Sequence, residues 1–380
     1  MARTTMSTEL TASDALALRM HNLVLGAEYP AEGLDSVGAL ARWFGAMQAQ
    51  DLASLQWSLG LRLETTLAEV EAELEKGEAL RTWPMRGTIH LVPAEDAASM
   101  VRVLGERPLS EAGRRREYLG LSLADADRAA ELLGEALAGG GRLTRAECIA
   151  VLEAGGVSGA GQRGYHLLWY ASQRGVTCIA PSVDGEQTFV LLDEWVDARG
   201  GPRELDRDEA LGELALRYFQ SHGPAPRKDF AGWAGLTAKD TKTAIAECGD
   251  ALSEVSVDGV EMIASTESLD ALPDLEVGGG AGWLALPGFD EYLLGYKDRS
   301  LMIDAAGMKG VIPGGNGVFR ATLVREGQVM ATWKRTLTPK AVKVEVFPLK
   351  RVSKAQQKQA AAALEPYADY LERDLQVTWA

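Results

Sequence analysis

DSVGALARWFGAMQAQDLASLQWSLGLRLETTLAEVEAELEKGEALRTWPMRGTIHLV runs from Asp35 to Val92 and holds every element of a unit that the chain then repeats. From Asp35 to Met47 the apolar residues Val37, Leu40, Trp43 and Phe44 recur at helical spacing, which predicts a helix with that face inward. Gln48-Ala49-Gln50-Asp51 interrupts it, and a second helix is predicted over about Leu52 to Leu63. Glu64-Thr65-Thr66 caps an acidic helix ending at Gly77. Two apolar runs, Ala79 to Trp83 and Thr88 to Val92, then bracket the turn Pro84-Met85-Arg86-Gly87. Helices followed by a small hairpin is the order of a winged helix-turn-helix.

Outward from this stretch the same order is written twice more. Leu143 to Ala154 and Gly161 to Ser172 read as helices, and Val176 to Ile179 and Thr188 to Leu192 as strands around Asp184-Gly185-Glu186. A helix from Leu211 ends at Ser221-His222-Gly223-Pro224, short helices follow at Pro226 to Ala234 and Thr237 to Cys248, and strands at Leu252 to Val257 and Val260 to Ala264 meet at Asp258-Gly259. The spacing is too irregular for a solenoid, so three tandem winged units are expected. Residues 10–26 add a helix ahead of them, and Gly278-Gly279-Gly280 reads as a linker. Beyond it the pattern turns to strands: Ala281 to Leu286, Val318 to Arg325, Gln328 to Thr336 and Lys343 to Leu349, then a helix from Ser353 to about Arg373 and a closing strand LQVTW. The expected fold is mixed α+β and helix-rich, with units at 1–110, 111–204 and 205–275 and a basic β-rich region at 276–380.

Composition bounds the function. The 380 residues carry 39 Lys and Arg against 54 Asp and Glu, a net −15, which taken whole argues against a polyanionic partner. Counted by segment the balance is uneven: Ala305 to Lys354 holds ten bases and two acids, a net +8, so the remainder carries −23. A basic face on an acidic body can meet a nucleic-acid backbone if the acidic surface points away; exposed strands also use Lys and Arg simply to deter edge pairing. No run approaches a membrane span and MARTTMSTEL lacks the apolar core of a secretory signal, so a cytoplasmic protein without membrane contact is expected. Cys148, Cys178 and Cys248 stand too far apart for a zinc spacing and fit a reducing compartment.

Phosphate-loop, zinc-protease, paired CxxC and GxSxG motifs are all missing. The four histidines, His21, His90, His166 and His222, are too dispersed to suggest a metal site, and Trp43, Trp57, Trp169 and Trp233 fall on inward helical positions. What remains is Gln48-Ala49-Gln50-Asp51. In an extended segment two glutamines separated by one residue project to the same side, so both carboxamides can converge on one ligand, while Asp51 is placed to cap the following helix.

QAQD between helices, TWPMRGTIHLVPAED, LPGFDEYLLGYKDRS, IPGGNGVFRATLVREGQVMATWKRT and VEVFPL, in that order along nearly the whole chain, resemble the winged-helix DNA glycosylases of the AlkZ type. The resemblance implies a concave scaffold of three winged units and a catalytic Gln-x-Gln motif, matched here by Gln48 and Gln50; a sister branch carries Gln-x-Asp instead. It implies removal of bulky alkylpurine adducts from double-stranded DNA, crosslinks included, in repair or in self-resistance to a genotoxic natural product; a monomer without metal or other cofactor is expected. A base alkylated on its imidazole ring is cationic and leaves readily, so orienting a water and stabilising an oxocarbenium-like sugar are the tasks left for fixed carboxamide oxygens. Asp51 is carried over as an alternative base and, with His90, as possible catalytic support; Arg86 and His90 are expected either to meet a phosphate or the lesion or to pack and hydrogen-bond within the fold. Tyr292, Tyr296, Asp298 and Arg299 are expected to line the cleft, the alternative being an internal Asp298 to Arg299 network that ties the third unit to the C-terminal sheet. Lys309, Asn316, Arg320, Lys334 and Arg335 are the expected DNA contacts. The rival is a non-catalytic winged-helix DNA-binding or regulatory protein, and a weaker third reading is a protein that sequesters a toxin; the best recognition-helix candidate, GQRGYHLLWYASQRG, is mostly apolar.

Overall fold

The computed structural model describes residues 8–26, 33–276 and 282–380. The Gly278-Gly279-Gly280 linker lies outside the described residues, as does most of the N-terminal MARTTMSTEL. Three helical groups are each followed by a hairpin. Val37–Phe44, Leu52–Leu63 and Leu67–Lys76 precede Ala79–Met85 and Thr88–Pro93. Leu123–Leu137, Arg145–Ala154 and Gln162–Gln173 precede Thr177–Val183 and Glu186–Leu191, and Arg207–His222, Arg227–Ala234 and Ala238–Glu247 precede Leu252–Val257 and Val260–Ser265.

Local chemistry sets these boundaries. Ser36 caps Val37–Phe44 by accepting the Ala39 N–H, and Gly45, at φ +71°, ends it two residues before Met47–Gln48 begins as a strand. The helix expected to run to Met47 therefore stops at Phe44, leaving the glutamine motif in extended backbone. Four hairpins turn over the pairs Arg86-Gly87, Asp184-Gly185, Asp258-Gly259 and Glu326-Gly327, each with both φ values positive, the geometry that matches strand twist. Asp suits the first position; Arg86 has no such local preference.

The first two hairpins are not separate wings. They join in one six-stranded sheet, in the order Met47–Gln48, Thr88–Pro93, Ala79–Met85, Thr177–Val183, Glu186–Leu191, Leu143–Thr144, and meet at the pair Arg81 and Ile179. The sheet thus crosses the 110/111 division. The third hairpin takes a partner that the sequence reading missed, Thr8–Leu10, parallel to Leu252–Val257. The C-terminal region is a five-stranded sheet of Trp283–Leu286, Ala321–Arg325, Gln328–Leu337, Ala341–Pro348 and the parallel Asp374–Trp379. The single helix expected from Ser353 to Arg373 is two, Lys354–Ala362 and Glu365–Tyr370, because Pro366 is accommodated in a first turn and not in a helix interior.

One buried apolar cluster runs from Leu16 to Tyr370, through all three groups and the C-terminal sheet. Trp57 packs between Tyr367 and Tyr370, at 4.9 and 5.0 Å, and gives its indole N–H to the Ala285 carbonyl. Beside it Arg62 and Asp290 form a buried two-pronged ion pair at 2.9 and 3.0 Å. Ser58 donates to the same carboxylate, and Arg62 Nε donates to the Leu23 carbonyl. Burial opposes charge on Asp290, but Arg62 and these hydrogen bonds outweigh it and hold its pKa below the ordinary value.

Arg62→Met should strand the Asp290 carboxylate and cost about 3–5 kcal/mol in a urea unfolding experiment. Because the native pKa is depressed, the pair's contribution should be complete above about pH 4 and be lost as pH falls through the native value, so wild type and variant should converge in acid.

Candidate active site

Met47–Gln48 is an edge strand whose residues pair with Leu91 and His90, and the Ala49 N–H continues the ladder by donating to the Ile89 carbonyl at 2.9 Å. This fixes the backbone of the motif. The side chains are fixed as well: Gln48 Oε1 accepts the Gln50 N–H at 2.8 Å, and Gln50 Oε1 accepts the Ile89 N–H at 3.2 Å. Each carboxamide oxygen keeps a second lone pair, and each amide keeps its N–H donors. Gln48 is half-buried and Gln50 exposed, so the pair lies at the protein surface on a rigid edge. Asp51 occupies the cap position of Leu52–Leu63 without capping it; its exposed carboxylate accepts the Ser54 hydroxyl at 2.9 Å.

Beneath the motif lies a residue that the sequence reading did not single out. Glu291 is 2% exposed and three donors converge on its carboxylate. Oε1 accepts the Gln48 backbone N–H at 2.9 Å; Oε2 accepts the Trp233 indole N–H at 3.2 Å and lies 3.3 Å from His222 Nε2. Burial pushes a carboxyl pKa up, but the His222 hydrogen bond and charge, followed by the Gln48 N–H, prevail and keep Glu291 below its usual value. His222 is itself stacked on Tyr218, with centroids 4.7 Å apart. The available signal was two adjacent acids, Asp290-Glu291, in an otherwise apolar GFDEYLL; a solvated helix start explains that pattern equally well from sequence.

His90 is fully buried, with Nδ1 2.9 Å from the Thr88 carbonyl and Nε2 3.1 Å from Arg86 Nη2. Burial, then the Arg86 charge, drive its pKa down to about 3, so it is a neutral ring inside the wall and does not face solvent. Arg86 has the opposite situation. It is exposed at the hairpin tip, held at φ +53°, and its Cγ region abuts Gly235 of the third helical group. Arg86 thus holds the left-handed position that Asp184, Asp258 and Glu326 hold in the other three hairpins.

Tyr292 and Tyr296 do not line a cleft. They are 0% and 1% exposed, with hydroxyls on the Gly327 and His222 carbonyls and the Arg19 guanidinium 4.1 Å over the Tyr296 ring. Tyr296 packs against His222 of the third group, whereas Tyr292 is buried toward Gly327 of the C-terminal sheet. Asp298 and Arg299 make separate contacts, the first to the third group and the second within residues 276–380. The Asp298 N–H approaches Asp229 at 3.4 Å, while Arg299 donates to the Leu293 carbonyl and covers Phe319 at 5.0 Å.

Of the expected DNA contacts, Lys309, Asn316 and Arg320 are all exposed on or after Ala305–Val311. Lys334 and Arg335 are neighbours on one strand and therefore project to opposite faces. Lys334 pairs with Glu345 at 2.6 Å over Phe347, whereas Arg335 lies 5.6 Å over Tyr367. They do not form one patch. Among the described residues no helix is long and apolar enough to cross a membrane, and no cluster of three or more His, Cys, Asp or Glu could hold a metal ion. The three cysteines are free.

A family model described as DNA glycosylase AlkZ-like matches residues 41–370, which sets the class as that of the DNA glycosylases. The chain belongs to the AlkZ-like family. It is 26% identical over 331 residues to an interstrand DNA cross-link repair glycosylase of Streptomyces sahachiroi, covering 84% of this chain and 86% of that protein. The solved structure of the Streptomyces sahachiroi DNA glycosylase AlkZ superposes with a TM-score of 0.80 at 23% identity, over 98% of this chain and all of that one.

In an NMR titration from about pH 8 to about pH 5, the range where an ordinary histidine charges, His90 should remain neutral. A protonation midpoint inside that range would contradict its burial against Arg86.

Proposed function

We propose that the chain is a monofunctional DNA glycosylase that hydrolyses the N-glycosidic bond of cationic alkylguanine adducts in double-stranded DNA, crosslinks included. The observation that carries this reading is the pair of carboxamides pinned on one strand edge with free lone pairs at the surface. Water adds through its oxygen to C1′ of the sugar while the bond to the base breaks. The bonding electrons pass to the base and cancel its positive charge, and the water's proton leaves to solvent. Gln50, the more exposed, orients the water; Gln48 holds water or the sugar. Buried Glu291, ionised under Gln48, supplies negative potential beneath the developing cation and fixes the Gln48 backbone. Asp51 is the alternative base, with Ser54 holding its carboxylate.

The three helix-and-hairpin groups serve as winged units at 1–110, 111–204 and 205–275, with the β-rich region 276–380 supplying Lys309, Asn316 and Arg320 to the DNA backbone as a monomer. The non-catalytic reading requires a helix that presents polar side chains to base edges. Gln162–Gln173 is buried from His166 to Gln173, which counts against it.

On a duplex carrying one N7-alkylated guanine, Gln48→Ala and Gln50→Ala should each slow base release by about 10²-fold while leaving an abasic site as the product of residual activity. Wild-type-like release by both variants would remove the motif from the chemistry.

Lys309→Glu with Arg320→Glu should weaken binding to any duplex and reduce the slope of log affinity against log salt by about one per lost contact. An unchanged slope would assign these residues to surface solvation alone.

A further inference from the structure

A cleft of about 590 Å³ opens beside the Arg86-Gly87 turn, walled by Glu106–Glu111, Gly113–Tyr118, Gln162–Gln173 and the Ala234-Gly235 corner. It contains neither Gln48 nor Gln50, but Arg86 on its rim touches His90, which pairs with Gln48. Its floor is aromatic. His166 and Trp169 are stacked with centroids 5.3 Å apart and planes at 25°, and Tyr165 stands beside them, its hydroxyl accepting the Trp83 indole N–H at 3.3 Å.

Two features mark this cleft as built for a ligand. His166 is 6% exposed, yet its Nε2 has no hydrogen-bond partner, which a fully packed interior rarely tolerates. Burial and the nearby Arg116 and Arg115 lower the His166 pKa, so the buried ring is neutral and leaves one unused polar atom in the cleft wall. Second, the rim cations are already engaged. Arg107 pairs with Glu111 at 2.8 Å, and Arg115 donates to the Gln162 amide and lies 5.3 Å over Tyr118. A phosphate would meet Glu111 and partly satisfied guanidinium groups; a flat neutral ring would meet the exposed Tyr165 ring and cationic edges.

We propose that this cleft is a subsite for a planar aromatic group with a hydrogen-bonding substituent, appended to the alkylated base and lying outside the reacting centre. The inference rests on the glycosylase reading and adds to it what the enzyme prefers: an adduct whose appendage fills this cleft is held with its glycosidic bond toward Gln48 and Gln50, whereas a methyl adduct leaves the cleft empty.

The test separates the two readings. Free guanine carrying a quinolinylmethyl group on N7, titrated into the intact protein by calorimetry, should bind saturably and about tenfold tighter than free N7-methylguanine. His166→Leu and, at the rim, Arg115→Gln should each remove most of that preference; Arg115 is exposed, so the second variant guards against a folding defect in the first. Equal affinity for the two bases, or a preference untouched by both variants, would overturn the subsite. So would an equal loss of affinity and salt slope on unmodified duplex, which would make the cleft a backbone-phosphate contact. In base release, both variants should lower kcat/KM for the quinolinylmethyl adduct about tenfold and leave the N7-methyl adduct unchanged. Saturable, variant-sensitive binding of the free base without any release from duplex would uphold the subsite and overturn the glycosylase assignment alone.

Discussion

Two neighbouring carboxylates, Asp290 and Glu291, are buried side by side, and each must find cations or donors in a different part of the chain. Asp290 turns to Arg62 and Ser58 on Leu52–Leu63, and Glu291 turns to the Gln48 backbone, His222 and Trp233. Neither charge is tolerable alone in an apolar interior, so the segment that carries them is obliged to dock between the first and third helical groups. Docking there brings the C-terminal sheet against Trp57 and holds the glutamine strand from below. The fold and the candidate site thus depend on one dipeptide.

This explains why a motif of two uncharged side chains can be proposed as a catalytic centre. Amide groups are weak acids and bases, and their value lies in being already oriented when charge develops. In Gln48 and Gln50 that orientation comes from the ladder with Thr88–Pro93, from the hydrogen bonds of Gln48 to Gln50 and of Gln50 to Ile89, and from Glu291 beneath. Neutral His90 within the wall completes the support without adding a titration near physiological pH.

Much of this was legible in the sequence where the determinants are local. Helical spacing of Val37, Leu40 and Phe44, X-Gly turns and Ser or Thr caps gave the order of helices and hairpins, and the Gln-x-Gln spacing gave an extended motif. What stayed hidden were pairings between distant segments. Nothing in Thr8–Leu10 announces a parallel partner at Leu252–Val257, and nothing near Arg81 announces Ile179. Tyr292 and Tyr296 have the composition of a cleft wall, and only the docking of the Asp290-Glu291 segment shows them to be interior. The charge count located a basic region but not its faces, because strand alternation separates Lys334 from Arg335.

The sheet shared by the first two hairpins bears on where the chain can be divided. A chain of self-contained modules can be lengthened, shortened or shuffled at its linkers. Here the strand Ala79–Met85 would be left with an open edge if the second group were deleted, and Thr177–Val183 likewise if the first were lost. Open edges invite association with other chains. Cutting the chain between these two groups would therefore expose on each what the other covers, so the two hairpins must be kept together for either edge to stay closed.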